Sequence, residues 1–195
     1  MPAAPKHVSR RGFLSLGLTC AAAVLLGASS PAMALPNKDW RQVLLDRDRW
    51  LSLERSNTGE KAVFRYYRYG VGFEERGYRI ACHLLRDVES DVTISMDARL
   101  LDLLFIIQAW LRLNKLPYHI IIQSGYRTPE FNATIRGAAK DSQHTKGTAA
   151  DIRIPGLSVE NLKRLAQAVG AGGVGLYQHK GFIHVDVGRV RQWIG

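Results

Sequence analysis

The sequence predicts an α+β domain, a mostly antiparallel sheet with helices packed on one face, and three observations carry that prediction. Trp50-Leu-Ser-Leu-Glu-Arg55 alternates apolar with polar residues after its first position, and Ala62-Val-Phe-Arg-Tyr-Tyr67 resumes a strand beyond the turn chemistry of Asn57-Thr-Gly-Glu60. Leu100, Leu101, Leu104, Ile107 and Leu111 recur at three- and four-residue spacing, the apolar stripe of a helix that needs a sheet to cover it. Tyr118-His-Ile-Ile-Ile122 supplies a β-branched run suited to a central strand.

Taken in order, the chain opens with Ser9-Arg10-Arg11-Gly-Phe-Leu14 ahead of an apolar stretch from Gly12 to Gly27. Paired arginines before such a stretch match a twin-arginine export signal. Ala32-Met-Ala34 places small residues where a signal peptidase reads, so residues 1–34 are expected to be a cleaved leader, an uncleaved anchor being the alternative. Residues 35–48 are polar with scattered apolar side chains and read as a linker or mobile arm. Residues 49–195 then form the domain. Gly70 to Gly72 breaks the first hairpin, and a helix is expected from Phe73 to about Arg86. Asp97 is a candidate cap for the helix that carries the leucine stripe.

Ser124-Gly-Tyr-Arg127 leaves the end of the central strand, and Pro129 begins a short helix. A polar, Gly-containing loop delivers His144, and Thr148 to Ile154 is a strand stopped by Pro155-Gly156. Ser158 caps a helix whose Leu162, Leu165 and Val169 face inward. After the glycines of 170–175, Val174 to Tyr177 and Phe182 to Val187 make a closing hairpin.

The chemistry concentrates in Ser142-Gln-His144-Thr-Lys-Gly147-Thr-Ala-Ala-Asp151 and Phe182-Ile-His184-Val-Asp186. Two imidazoles and one carboxylate suit zinc and leave a fourth position open for water. Gly147 permits the tight turn that folds His144 back over Asp151. His184 and Asp186 are two apart on a strand, so they share a face, and Asp186 could act as a base or as an outer partner of a bound metal. A surface aspartate with two hydrogen-bonded histidines is the alternative on spacing alone. His119, inside the β-branched run, reads as a structural histidine.

Ser-Gly-Tyr-Arg at 124–127, Ser-x-His-x3-Gly-x3-Asp at 142–151 and His-Val-Asp at 184–186 together resemble the M15 group of zinc murein peptidases. The match is best to the branch once labelled a domain of unknown function, which includes murein endopeptidase K, and it runs from about Trp50 to Trp193. The resemblance implies a DD-peptidase/hedgehog-like zinc site with one zinc ion held by His144, Asp151 and His184. It implies Arg127 as the arginine that holds substrate and polarises its carbonyl. Ser142 then orients His144 or caps the loop. Several relatives place an acidic base three residues before the last histidine, where this chain has Gly181, so base duty is expected at Asp186. His179 is either an oxyanion or proton-shuttle group or a solvated hairpin residue. The implied activity is zinc-dependent hydrolysis of the peptide cross-links of peptidoglycan; a D-alanyl carboxypeptidase or a non-catalytic, zinc-stabilised wall-binding module are the alternatives.

Composition agrees with an exported wall enzyme without proving one. Net charge is +10, and removing Lys6, Arg10 and Arg11 from the 27 basic residues leaves 24 against 17 acidic, or +7. That charge favours an anionic polymer. No nucleic-acid motif or dense basic run is present, so the expected partner is the peptide stem of peptidoglycan, with membrane contact only during export and residence in the periplasm. Two cysteines, one in the leader, exclude a disulfide framework, and Cys82 reads as a buried thiol.

Overall fold

The computed structural model describes residues 39–195. The expected leader, residues 1–34, lies outside the described residues. Among the described residues, eight strands form one sheet in the order β3-β2-β1-β4-β5-β7-β6-β8. The strands are β1 (Arg49–Arg55), β2 (Lys61–Arg68), β3 (Gly72–Phe73), β4 (Ile120–Ser124), β5 (Ala149–Arg153), β6 (Gly173–Tyr177), β7 (Phe182–Asp186) and β8 (Arg191–Ile194). Pairing is antiparallel except between β1 and β4 and between β6 and β8. The sheet is therefore mixed and mostly antiparallel.

Period-two alternation decides what each sheet face does. Leu51 and Leu53 of β1, Ile120 and Ile122 of β4, Ala150 and Ile152 of β5, and Ile183 and Val185 of β7 all join one buried core. Helices α2 (Glu75–Leu84), α3 (Ala98–Leu113) and α5 (Val159–Val169) contribute to the same core, and the short α4 (Pro129–Thr134) begins at Pro129. The alternate positions of β5 and β7 carry Asp151, His184 and Asp186. Asp97 caps α3, its carboxylate accepting from Arg99 N, and Ser158 caps α5, its hydroxyl accepting from Asn161 N. Both expected caps are in place.

Helix α3 is buried beyond its leucine stripe, because Leu103, Phe105, Ile106 and Ala109 are covered as well. A helix apolar all round sits inside a protein rather than on it. Its one buried amide is satisfied: Gln108 Nε2 donates to the carbonyls of Ser52 and Tyr118, both at 2.7 Å, and Oε1 accepts from Ser52 N at 3.1 Å. Cys82 is a free, buried thiol that accepts from Met96 N. His119 bonds Ser52 and Glu54 and takes no part in the histidine cluster, which fits its structural reading.

Three elements differ from the sequence expectation. The segment expected as a linker or arm contains helix α1 (Trp40–Leu45), with Leu44 buried and Arg41 Nη1 donating to Val169 O at the end of α5. Six residues are too few to display a period, so only the docking partner reveals the helix. The short β3 and the last strand β8 also went unread; β8 pairs with β6, far enough back in sequence that no hairpin signal marks it. No helix among the described residues is long and apolar enough to cross a membrane.

Leu104 is fully buried in α3. Leu104→Ala should lower the unfolding free energy by about 2–5 kcal/mol, read from urea denaturation at constant m-value.

Candidate metal centre

The site begins with a turn. Ser142 Oγ accepts from His144 N and caps a single 3-10 turn, Gln143–Lys146, which Gly147 closes in the left-handed conformation at φ 68°. A Cβ at Gly147 would lie 2.8 Å from Ile94 Cδ1, so both backbone angle and space favour glycine. The turn lays His144 over the start of β5. Arg127 N donates to His144 O, which fastens the Ser-Gly-Tyr-Arg loop to the same place.

In β5 and β7 the register sets Asp151 opposite His184. Three atoms then converge: His144 Nε2 to Asp151 Oδ1 is 3.2 Å, His184 Nδ1 to Asp151 Oδ1 is 3.0 Å, and the two ring nitrogens are 3.0 Å apart. All three residues are buried. The other nitrogen of each ring faces an acceptor. His144 Nδ1 lies 2.6 Å from Gly125 O, and His184 Nε2 lies 3.0 Å from Asp186 Oδ2. An N–H must occupy each of those outer bonds, so each neutral ring presents its lone pair to the cluster. Two lone pairs and a carboxylate oxygen within 3.2 Å repel one another unless a cation or proton lies between them. Ligands about 2.0–2.1 Å from a tetrahedral zinc stand roughly 3.3 Å apart, close to the observed triangle. The group could hold a metal ion, and its donors fit zinc.

Electrostatics agree. Burial pushes the Asp151 carboxyl up, but His144 and His184 outweigh it and hold it far below the usual carboxylate range. Burial pulls His144 below its ordinary pKa. For His184 burial acts the same way, yet the bonds to Asp151 and Asp186 prevail and raise it.

Arg127 reaches the cluster, Nη2 donating to Asp151 Oδ2 at 2.7 Å and Nε to Ser124 Oγ at 2.8 Å. Asp186 meets the cluster from outside, through the His184 ring. It lies behind the His184 ring, on the nitrogen turned away from the cluster, and is fully buried. Its Oδ1 accepts from Gly173 N and Gly188 N, and Arg191 donates to both oxygens at 3.1 and 2.7 Å. Burial pushes this carboxyl up, but the bonds from His184, Arg191 and the two amides outweigh it and hold it well below the usual range. A carboxylate held in this way can orient the imidazole that donates to it, one of the two roles expected for Asp186. His179 sits exposed in the turn Gln178–Lys180, apart from the cluster and without a hydrogen bond among the described residues; of its two readings, the solvated hairpin residue is the one this position fits. Gly181 closes that turn at φ 72°.

A family model described as peptidoglycan L,D-endopeptidase MepK, of the M15 peptidases, matches residues 45–193. The chain belongs to this family. It is 35% identical over 189 residues to the peptidoglycan L,D-endopeptidase MepK of Escherichia coli K12, covering 95% of this chain and 97% of that protein. It is also 35% identical over 191 residues to a probable peptidoglycan L,D-endopeptidase MepK of Haemophilus influenzae Rd, covering 96% of each. No solved structure matches the chain.

Sequence reasoning missed the support behind the His144, Asp151 and His184 group. Arg191 and Trp193 both come from β8, Arg191 gripping Asp186 and Trp193 packing on the His184 ring at 5.1 Å between centroids. A Cβ at Gly173 would stand 2.5 Å from Asp186 Oδ2, and one at Gly175 would stand 2.4 Å from the Trp193 indole. The glycines of 170–175, read as a turn, thus leave room for β8 side chains to reach the site. Alternation of Arg191 and Trp193 was the available signal, too short to stand alone.

Asp186→Asn should weaken zinc binding about 10- to 100-fold in a chelator competition, and unchanged affinity would remove its orienting role. The proton that must leave His184 is held above the ordinary pKa of about 6.5. Zinc affinity should therefore decline as pH is lowered from about 8 to 6, starting above pH 6.5.

Proposed function

We propose that the chain is a zinc-dependent endopeptidase that hydrolyses peptide cross-links of peptidoglycan in the periplasm. The observation that carries this is the triangle of His144, Asp151 and His184 in a chain that belongs to the MepK family. Its relatives, a peptidoglycan L,D-endopeptidase and a probable one, support an L,D cross-link and an endopeptidase over a carboxypeptidase. The zinc site is proposed to be of the DD-peptidase/hedgehog kind. Export by the twin-arginine route, with cleavage after Ala34, is the proposed way to that compartment.

His144, Asp151 and His184 would hold the zinc. When bound, the metal supplies a Lewis acid that acidifies water and polarises a carbonyl. The protein's own residues do the rest. Gly125 O and Asp186 keep both imidazoles in the tautomer that points a lone pair inward. Arg191 and the amides of Gly173 and Gly188 keep Asp186 ionised, so the His184 orientation persists. Arg127 is braced by Asp151 and Ser124 and lines the cleft beside the cluster, where its charge stabilises negative charge developing on the substrate carbonyl.

Purified protein should release soluble peptide-linked fragments from sacculi, stop on chelation and recover with zinc. Mass spectrometry should find products cut within the cross-link rather than loss of a terminal D-alanine. Arg127→Met should lower kcat about 10²- to 10³-fold with zinc still bound. Zinc-loaded protein that opens no bond in any muropeptide would overturn the enzymatic reading.

A further inference from the structure

Arg55 ends β1 at an inward position: Leu51, Leu53 and Arg55 alternate onto the core face, where Arg55 stands in register with Ile122. It is 4% exposed, and its Nε and Nη1 are buried with no hydrogen-bond partner. It also lines a cleft of about 270 Å³ whose wall includes Arg127, Asp151, Tyr126, Phe131 and Phe182. One cleft therefore joins this guanidinium to the ligand cluster.

The charges that act on Arg55, those of Arg86, Asp87, Arg127 and Asp151, are already matched, and Arg55 is not; Lys180, exposed, also lines the cleft without an ion pair. Arg86 is paired with Glu60 and Asp91, and Arg127 with Asp151. The Asp87 carboxylate is filled by the Thr128 amide and hydroxyl and by the amides of Glu89 and Ser90. Glu89 lines the cleft, is exposed, and has no ion pair with Arg55. Burial, then the like charges of Arg86 and Arg127, lowers the Arg55 pKa to about 10, against the pull of Asp87 and Asp151, so it stays cationic at neutral pH. A buried cation with free N–H donors is costly, and native proteins rarely leave one without a reason. Its planar fork matches a carboxylate in a bidentate pair.

We propose that Arg55 anchors a substrate-carboxylate subsite, in which a free carboxylate on the cross-linked peptide enters the cleft and completes the buried guanidinium while the scissile amide lies at the ligand cluster. The proposal rests on the reading of the chain as a hydrolase of peptidoglycan peptides, and it adds the feature by which that site selects its substrate. Aromatic walls at Tyr126, Phe131 and Phe182 exclude water from the pair and strengthen it.

The test uses two versions of one cross-linked stem-peptide dimer, with free carboxylates or with the same carboxylates amidated. Zinc-loaded wild type should show a KM about 10- to 100-fold higher for the amidated dimer, with kcat little changed. Arg55→Gln should raise KM for the free acid to that level and leave the amidated dimer unaffected, while Arg55→Lys recovers part of the preference. Calorimetry of both dimers with zinc-depleted protein reads the same preference without catalysis. Equal binding of the two dimers to wild type, or equal losses for both in Arg55→Gln, would overturn the subsite and leave the hydrolase reading standing if cleavage persists. Arg55-dependent preference without cleavage would keep the subsite and overturn the hydrolase reading. If Arg55→Gln does not fold, the wild-type comparison of the two dimers and the Arg55→Lys variant decide the matter.

Discussion

The structure depends on two hydrogen bonds that point away from its centre. Gly125 O and Asp186 Oδ2 each claim one ring nitrogen, and in doing so turn the lone pairs of His144 and His184 onto Asp151 Oδ1. Three acceptors meeting within 3.2 Å in a buried place are unfavourable unless a cation answers them. Much of the surrounding architecture keeps that arrangement from relaxing. The β5–β7 register fixes Asp151 against His184, Gly147 closes the turn that carries His144, and β8 brings Arg191 against Asp186.

Charge is organised outward in alternating layers from that centre. The carboxylate Asp151 is braced by Arg127, and His184 by Asp186, which Arg191 holds in turn. Each of these charges meets its opposite, so the group is braced before any ligand arrives. Arg55 breaks the pattern, a buried guanidinium without a carboxylate in a cleft that reaches Asp151. Glu89 and Lys180 also line the cleft without an ion pair but are exposed, so Arg55 is the buried cation left unanswered, and it identifies what the substrate must bring.

Much of this was legible in the chain itself. The first hairpin, the leucine helix, the β-branched central strand and the closing hairpin carry their own periodicities, and each formed at nearly the expected place. The group of His144, Asp151 and His184 was legible because a site able to hold a metal needs particular residue types at turn-compatible spacings. Helix α1, β3 and β8 were not, since each is too short for a period to show; α1 and β8 take their order from distant partners, and β3 from the adjoining end of β2.

The roles of individual carboxylates needed three dimensions. Spacing places Asp186 on the same strand face as His184, and that much the structure keeps. Which ring nitrogen the carboxylate meets depends on the rotamer, on Gly173 making room and on Arg191 arriving from a strand five residues later. These contacts place the carboxylate behind the His184 ring, the position from which it can orient that imidazole. Sequence alone determined residue type and strand parity, because those follow from covalent geometry. Tertiary structure decided tautomer, burial and charge pairing, because those depend on groups far apart along the chain meeting within a few ångströms.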